Sequence, residues 1–232
     1  MEKKLSVKNF IVPAVLFVVF AVFTVLVKTV DVGEGRMGTE LGFATFNLAV
    51  EKIIPFNNGW YMLSEILGYA AIGVCLGFAC FGLYEMMKYG IIKKQGIFKA
   101  VDKEIWILAG FYVVVIGFYV LFEKLEINYR PVILDEGLEA SYPSSHTMLA
   151  ICVFCSAVIM FDKFLKETKI FKAVGQGFCV IFAALTVVGR FFSGVHWATD
   201  IIGGLLISAA LVSLFVAVIK PFLQETKVSE EK

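Results

Sequence analysis

The segment Arg190-Phe-Phe-Ser-Gly-Val-His196-Trp-Ala-Thr-Asp200 brings together a fixed cation, an imidazole and a carboxylate. His196 and Asp200 are spaced i and i+4, which puts them on one face of a helix opening the last apolar segment. A carboxylate so placed can accept the imidazole Nδ1–H and leave Nε2 as an oriented base or nucleophile. Gly194 lets the chain turn sharply just before it. The same spacing also fits a helix-end Asp–His pair that only caps the segment.

A second segment, Tyr142-Pro143-Ser144-Ser145-His146, carries the signals of a helix N-terminus. Free backbone N–H groups and the positive end of the helix dipole make such a terminus an anion site. Ser144 adds a hydroxyl and His146 a titratable proton; a well-capped helix with an incidental histidine also fits. Arg130-Pro131 supplies a second guanidinium, and two guanidiniums hold a phosphate bidentately at any relevant pH. Together these segments offer cationic clamps, a helix N-terminus, one histidine to attack and one to donate a proton. The acids Asp135, Glu136 and Glu139 have no histidine or cysteine at metal-ligand spacing, so neither a catalytic metal nor another cofactor is expected.

The elements that must position these groups lie in a bilayer. Of 232 residues, 59% are hydrophobic and only 18% charged, with mean hydropathy +0.83. Ordinary soluble domains carry roughly 45–50% apolar and about 25% charged residues. The same figures exclude disordered, collagen-like and disulfide-scaffold classes. The five cysteines lie in apolar runs and behave as small hydrophobes; Cys152-x-x-Cys155 has no cationic neighbour to activate it. Six nearly charge-free stretches are long enough to span: Phe10 to Val27, Ile66 to Tyr84, Ile105 to Phe122, Thr147 to Phe161, Ile170 to Gly189, and Ile201 to Ile219. Residues Ala140 to His146 can extend the fourth, and the first is too long for a cleaved signal peptide.

Charge placement orients the bundle. Lys3, Lys4 and Lys8, the lysines between the second and third spans and between the fourth and fifth, and Lys220, Lys227 and Lys232 put 15 of the 21 basic residues on one face. The positive-inside rule makes that face, and both termini, cytoplasmic. Both histidines then lie on the extracytoplasmic side of a plasma-membrane protein. Residues 1–223 read as a single six-span domain and 224–232 as a solvated cytoplasmic tail. The outer connection 28–60 is long. Its Leu41, Phe43, Phe46, Leu48 and Ile53 recur at helical spacing, as in an amphipathic helix lying on the leaflet with Trp60 and Tyr61 as anchors; an irregular loop fits equally. The net charge of +1 indicates no particular partner, and neither nucleic acid nor a protein partner is expected.

The three polar segments resemble the signature of the type-2 phosphatidic-acid phosphatase superfamily: Lys-x6-Arg-Pro, Pro-Ser-Gly-His and Ser-Arg-x5-His-x3-Asp. That resemblance implies an all-α bundle of six transmembrane helices that hydrolyses a lipid phosphomonoester or diphosphate without metal. It implies His196 as the nucleophile forming a phosphohistidine, Asp200 as its orienter and His146 as general acid, with Arg130, Ser144, Ser145 and Arg190 on the phosphoryl oxygens. Three positions depart from the pattern. Ser145 replaces a glycine, Gly189 a serine, and Glu123 stands where the first motif has lysine. Lys124, one residue later, is the expected substitute if the local backbone unwinds. Phosphatidic acid, phosphatidylglycerophosphate and undecaprenyl diphosphate present the same phosphoryl end. The outer face favours the cell-wall carrier slightly. A lipid phosphotransferase could use the same site. Non-enzymatic phospholipid binding or transport fits less well, because the spans hold almost no polar groups at mid-depth.

Overall fold

The computed structural model describes residues 6–94, 96–134 and 137–230; Lys3, Lys4, Asp135, Glu136 and Lys232 lie outside them. A 3₁₀ turn at Val7–Phe10 leads into α1 (Ile11–Thr29). A two-residue hairpin pairs β1 (Gly33–Glu34) with β2 (Glu40–Leu41) and precedes α2 (Ala44–Ile53). Then come α3 (Asn58–Glu85), continued as a π-helix over Met86–Ile92, and the short α4 (Ile97–Ala100). The remaining helices are α5 (Lys103–Leu125), α6 (Ser145–Phe164), α7 (Lys169–Phe192) and α8 (Ala198–Glu230). Six of these are long and apolar enough to cross a membrane, matching the six expected spans.

Burial separates the bundle into centre and periphery. Half of the apolar window of α6 and half of that of α8 are buried, against 11–28% in the other four. The two central helices join through Met148, Cys152, Ile207 and Leu211, while α1 lies along α8 and α3 along α6 and α7. The peripheral helices turn runs such as Val15, Val18, Val22 and Val25 outward. Apolar side chains facing outward are stable only in hydrocarbon, so this is a multi-pass membrane protein.

The boundaries follow local chemistry. Ser144 caps α6, its Oγ accepting from Thr147 N–H. Asn57 caps α3, its Oδ1 accepting from Trp60 N–H at 3.1 Å. That cap starts α3 eight residues before the expected Ile66 and draws Trp60, Tyr61, Ser64 and Glu65 into the helix. At the other end, α8 passes through Pro221 to Glu230. The expected tail is therefore helical over 224–230; no glycine stops it, and Gln, Glu and Lys all propagate a helix well.

The connection between α1 and α3 does contain a helix, but its inward face is Ala44 and Asn47, while Phe46, Leu48 and Ile53 are exposed. The buried polar residue dictates this. Asn47 Nδ2 donates to Gly42 O and Thr199 Oγ1, both at 2.9 Å, and its Oδ1 accepts from Thr199 N–H at 3.2 Å. These bonds meet an otherwise orphaned donor at the start of α8.

At the opposite pole an ionic knot closes the bundle. Lys163 Nζ lies 2.7 Å from both Asp102 and Glu104, and Glu85 accepts from Asp102 N–H at 3.1 Å.

Candidate active site

Three elements deliver the expected polar residues to one pole. His146 lies in the first turn of α6 and Arg190 in the last turn of α7. His196 does not sit on α8 as its spacing to Asp200 suggested. The helix begins at Ala198, and His196 occupies the turn before it. Gly194, at φ +63°, makes that turn against the backbone of Pro55 and Phe56, where a Cβ would come within 2.9 Å. The turn lets the chain leave α7, present His196 and re-enter the bundle within five residues.

The centre is the Arg190 guanidinium, fully buried. Nη2 lies 3.0 Å from His146 Nδ1 and 3.4 Å from His196 Nε2, so one group meets both imidazoles. Because arginine only donates, both facing ring nitrogens carry lone pairs. His196 Nε2 is therefore an unprotonated nitrogen, and its hydrogen is on Nδ1. That nitrogen points towards Asp200 Oδ2 but stands 3.7 Å away, beyond hydrogen-bond length. Asp200 spends its oxygens elsewhere: Oδ2 accepts from Trp197 N–H at 3.0 Å and Oδ1 from Asn128 Nδ2 at 3.2 Å. The carboxylate thus fixes the turn that carries His196 rather than gripping the ring. Burial, reinforced by the charges of Arg190 and Arg130, pushes the His196 imidazole well below its ordinary range, which keeps it neutral.

Arg130 comes from a hairpin-like loop between α5 and α6. Its N–H donates to Glu139 O at 3.0 Å, and Ser141 N–H donates to Asn128 O at 2.9 Å. The Arg130 guanidinium pairs with Glu139 at 2.8 Å. The Trp197 indole N–H donates to Tyr129 O at 2.6 Å, pinning the loop to the turn that holds His196. Arg36, from the hairpin after α1, donates to Pro131 O and pairs with Glu51, so the 28–60 connection also touches this loop. The Nε groups of Arg130 and Arg190 are buried without an acceptor among the described residues.

Ser144 is buried, and its oxygen serves as the cap of α6; its N–H donates to Asp200 O at 3.0 Å. Ser145 opens the helix and is half-buried. Lys124 stands apart. It is exposed in the last turn of α5, and no described contact joins it to the two histidines or to Arg130 and Arg190. Glu123 lines a crevice with Ser141 and Ser145. No described group of three or more His, Cys, Asp or Glu side chains is arranged as a metal cage.

One participant was not read from the sequence. Glu65, on α3, accepts from Arg190 Nη1 at 2.7 Å and from His146 Nε2 at 3.2 Å. Ser64 Oγ is 3.3 Å from the same Nη1, and the Tyr61 ring lies 5.5 Å from the guanidinium carbon. The available signal was an acid at a span end, facing cations from other segments. Beyond Glu65 an apolar cavity of about 470 Å³ opens between α3, α5 and α6, lined by Gly68, Ile72, Cys75, Tyr112, Leu149 and Val153 among others.

A six-span helical bundle with two histidines bridged by a buried arginine at one end defines a class, the multi-pass membrane proteins with a single polar pole. The model of the PAP2 superfamily matches residues 118–223, from late α5 into α8. That stretch, just under half of the chain, is where it resembles the PAP2 superfamily, and it contains every site residue expected from the sequence. Phosphatidylglycerophosphatase B of Bacillus subtilis (strain 168) is 29% identical over 106 residues, 44% of this chain and 51% of that protein. Sphingosine-1-phosphate phosphatase 2 of Mus musculus is 31% identical over 91 residues, 38% of this chain and 25% of that protein. The match thus spans about half of the first of these curated relatives and a quarter of the second. The crystal structure of a transmembrane PAP2 type phosphatidylglycerolphosphate phosphatase from Bacillus subtilis superimposes with a TM-score of 0.57. It is 20% identical and covers 90% of this chain and 96% of that one, a likeness of fold.

Proposed function

We propose that the protein is a lipid phosphatase that cleaves a phosphomonoester or diphosphate through a phosphohistidine on His196. The observation that carries this reading is the single buried guanidinium of Arg190 in reach of both imidazoles, set where an apolar cavity begins. A phosphoryl group placed there meets the free donors of Arg130 and Arg190 and the N-terminus of α6 at Ser144 and Ser145, while its lipid chain lies along the cavity. Both named relatives are phosphatases of lipid phosphates, which supports the substrate class.

The chemistry balances without a metal. His196 Nε2 bonds to phosphorus as the bond from phosphorus to the lipid oxygen breaks, and that oxygen takes a proton from His146. Water then attacks the phosphohistidine and gives its proton to His146, releasing inorganic phosphate and neutral His196. Proton transfer of this kind contributes about 10²–10⁴-fold, and preorganised cations at the developing charge contribute further. Asp200, through Trp197 N–H, holds the turn on which His196 sits. The 15 basic residues on the opposite face support cytoplasmic termini and an extracytoplasmic site in the cell membrane.

The test is phosphate release by purified protein, in EDTA, from phosphatidylglycerophosphate, phosphatidic acid and undecaprenyl diphosphate, beside His196→Ala. Release that survives EDTA and vanishes in the variant supports the reading, and the rates rank the substrates. Normal release by His196→Ala overturns the mechanism. Transfer to an added lipid alcohol in preference to water would make the protein a phosphotransferase.

A further inference from the structure

Glu65 lies outside the matched segment 118–223, yet it touches two of that segment's polar residues. Its helix presents Tyr61, Ser64, Glu65 and Gly68 along one stripe, spaced i, i+3, i+4 and i+7, towards α6 and α7. Gly68 makes the approach possible: a Cβ there would stand 3.2 Å from His146 Cδ2. The stripe therefore brings a carboxylate to the edge of the His146 ring opposite the one facing Arg190.

The two ring nitrogens have distinct partners. Nδ1 faces Arg190 Nη2, a donor, so it bears the lone pair. Nε2 lies 3.2 Å from Glu65 Oε1, an acceptor, so it bears the hydrogen. We propose that Glu65 is the positioning residue of the general acid, holding His146 by Nε2–H so that Nδ1 is the atom that exchanges a proton with the lipid oxygen. The inference rests on the phosphatase reading and adds to it a helix outside the familiar motifs. When the substrate phosphate takes over the Arg190 Nη2 donor, Nδ1 is released to carry a proton, and the ring is then an imidazolium with a carboxylate against its far edge, an arrangement that stabilises the charge and fixes the ring plane. Loss of that proton to the leaving alkoxide returns the neutral ring, still held by Glu65. The bond from Arg190 Nη1 keeps Glu65 itself in place.

The test compares two substrates with the same chain, dodecyl phosphate and its analogue with sulfur as the bridging atom. An alkoxide needs a proton in order to leave, whereas a thiolate leaves without one. For Glu65→Gln the expected loss of kcat on the oxygen ester is on the order of ten- to a hundredfold. That loss exceeds the loss on the sulfur ester by more than about threefold, because only the oxygen ester uses the acid. KM does not rise, since removing a negative charge from beside Arg190 does not weaken phosphate capture. Losses equal within threefold, or no loss on either ester, overturn the proposal. Wild-type protein that cleaves neither ester nor any of the three lipids named above refutes the phosphatase reading itself, so the two failures are distinct. Should Glu65→Gln fail to fold, Glu65→Asp, which keeps the charge but draws it back from Nε2, is held to the same comparison.

Discussion

Asn47 and Thr199 are joined twice, by Nδ2 to Oγ1 at 2.9 Å and by Thr199 N–H to Oδ1 at 3.2 Å. This pair ties the helix of the first connection to the second residue of α8, three positions after His196. Asn47→Ala leaves a buried donor at Thr199 unmet, at a cost of about 2–3 kcal/mol. A lowered midpoint of thermal unfolding in detergent, with reduced kcat, is expected; an unchanged midpoint contradicts the structural role given to α2.

Arg190 is the most exacting position. Arg190→Ala opens a cavity at a fully buried position and takes from the partly exposed Glu65 one of its two partners, costing about 2–5 kcal/mol. Arg190→Lys keeps the charge but not the fork that meets Glu65 and both histidines at once. The lysine variant should fold, as judged by monodispersity and unfolding midpoint, and lose turnover on the order of 10²–10³-fold. Near-normal turnover would mean that one charge suffices and that the geometry of the fork is incidental.

The pH profile follows from His196. Burial and the neighbouring arginines disfavour its protonated form, so its folded pKa lies well below the ordinary value. As pH falls, the nucleophile stays neutral until the solution passes well below 6.5, and activity limited by His196 persists to that point. Arg130→Gln removes one of the charges responsible and moves the acid limb towards higher pH. A limb that stays fixed in that variant would assign it to another group.

The cavity should read chain length. Cys75→Phe narrows its middle, and the loss in kcat/KM on a long-chain lipid phosphate should exceed the loss on a butyl ester by about tenfold. Equal losses on both would show that the chain lies elsewhere.

Lys124 is the sharpest contrast between pattern and placement. It is exposed on α5 with no described contact to the site cations, so Lys124→Met should change kcat/KM by no more than about fivefold, the scale of an exposed charge. A larger loss would show that the end of α5 unwinds when phosphate binds.

These cases also show what a linear reading could and could not supply. The spans were legible because exclusion from water leaves long charge-free runs, and the 130–200 site residues because their spacings are compact. Glu65 and Asn47 were not legible. Each acts through a partner more than a hundred positions away, and neither carries a local pattern, since a lone acid at a span end looks like a boundary. The fine geometry of His196 was misjudged for a different reason: the i, i+4 rule applies only once the helix has begun, and here it begins two residues later. The apolar spacing in 41–53 pointed to a helix, but which face turned inward was decided by one buried amide.

The helix α3 is held at two places, by Glu65 to Arg190 and by Glu85 to the Asp102 amide. These anchor points are twenty residues apart, about 30 Å along a helix. Between them Gly73 and Gly77 face open space. Yet Ala71, midway between the anchors, is buried against α6 and α7, so the inner face of α3 is fixed along its length while the glycine positions look away from the bundle. The width of the slot that receives a guest chain is therefore set by helix packing, and a bulkier side chain on its inner wall has no room made for it.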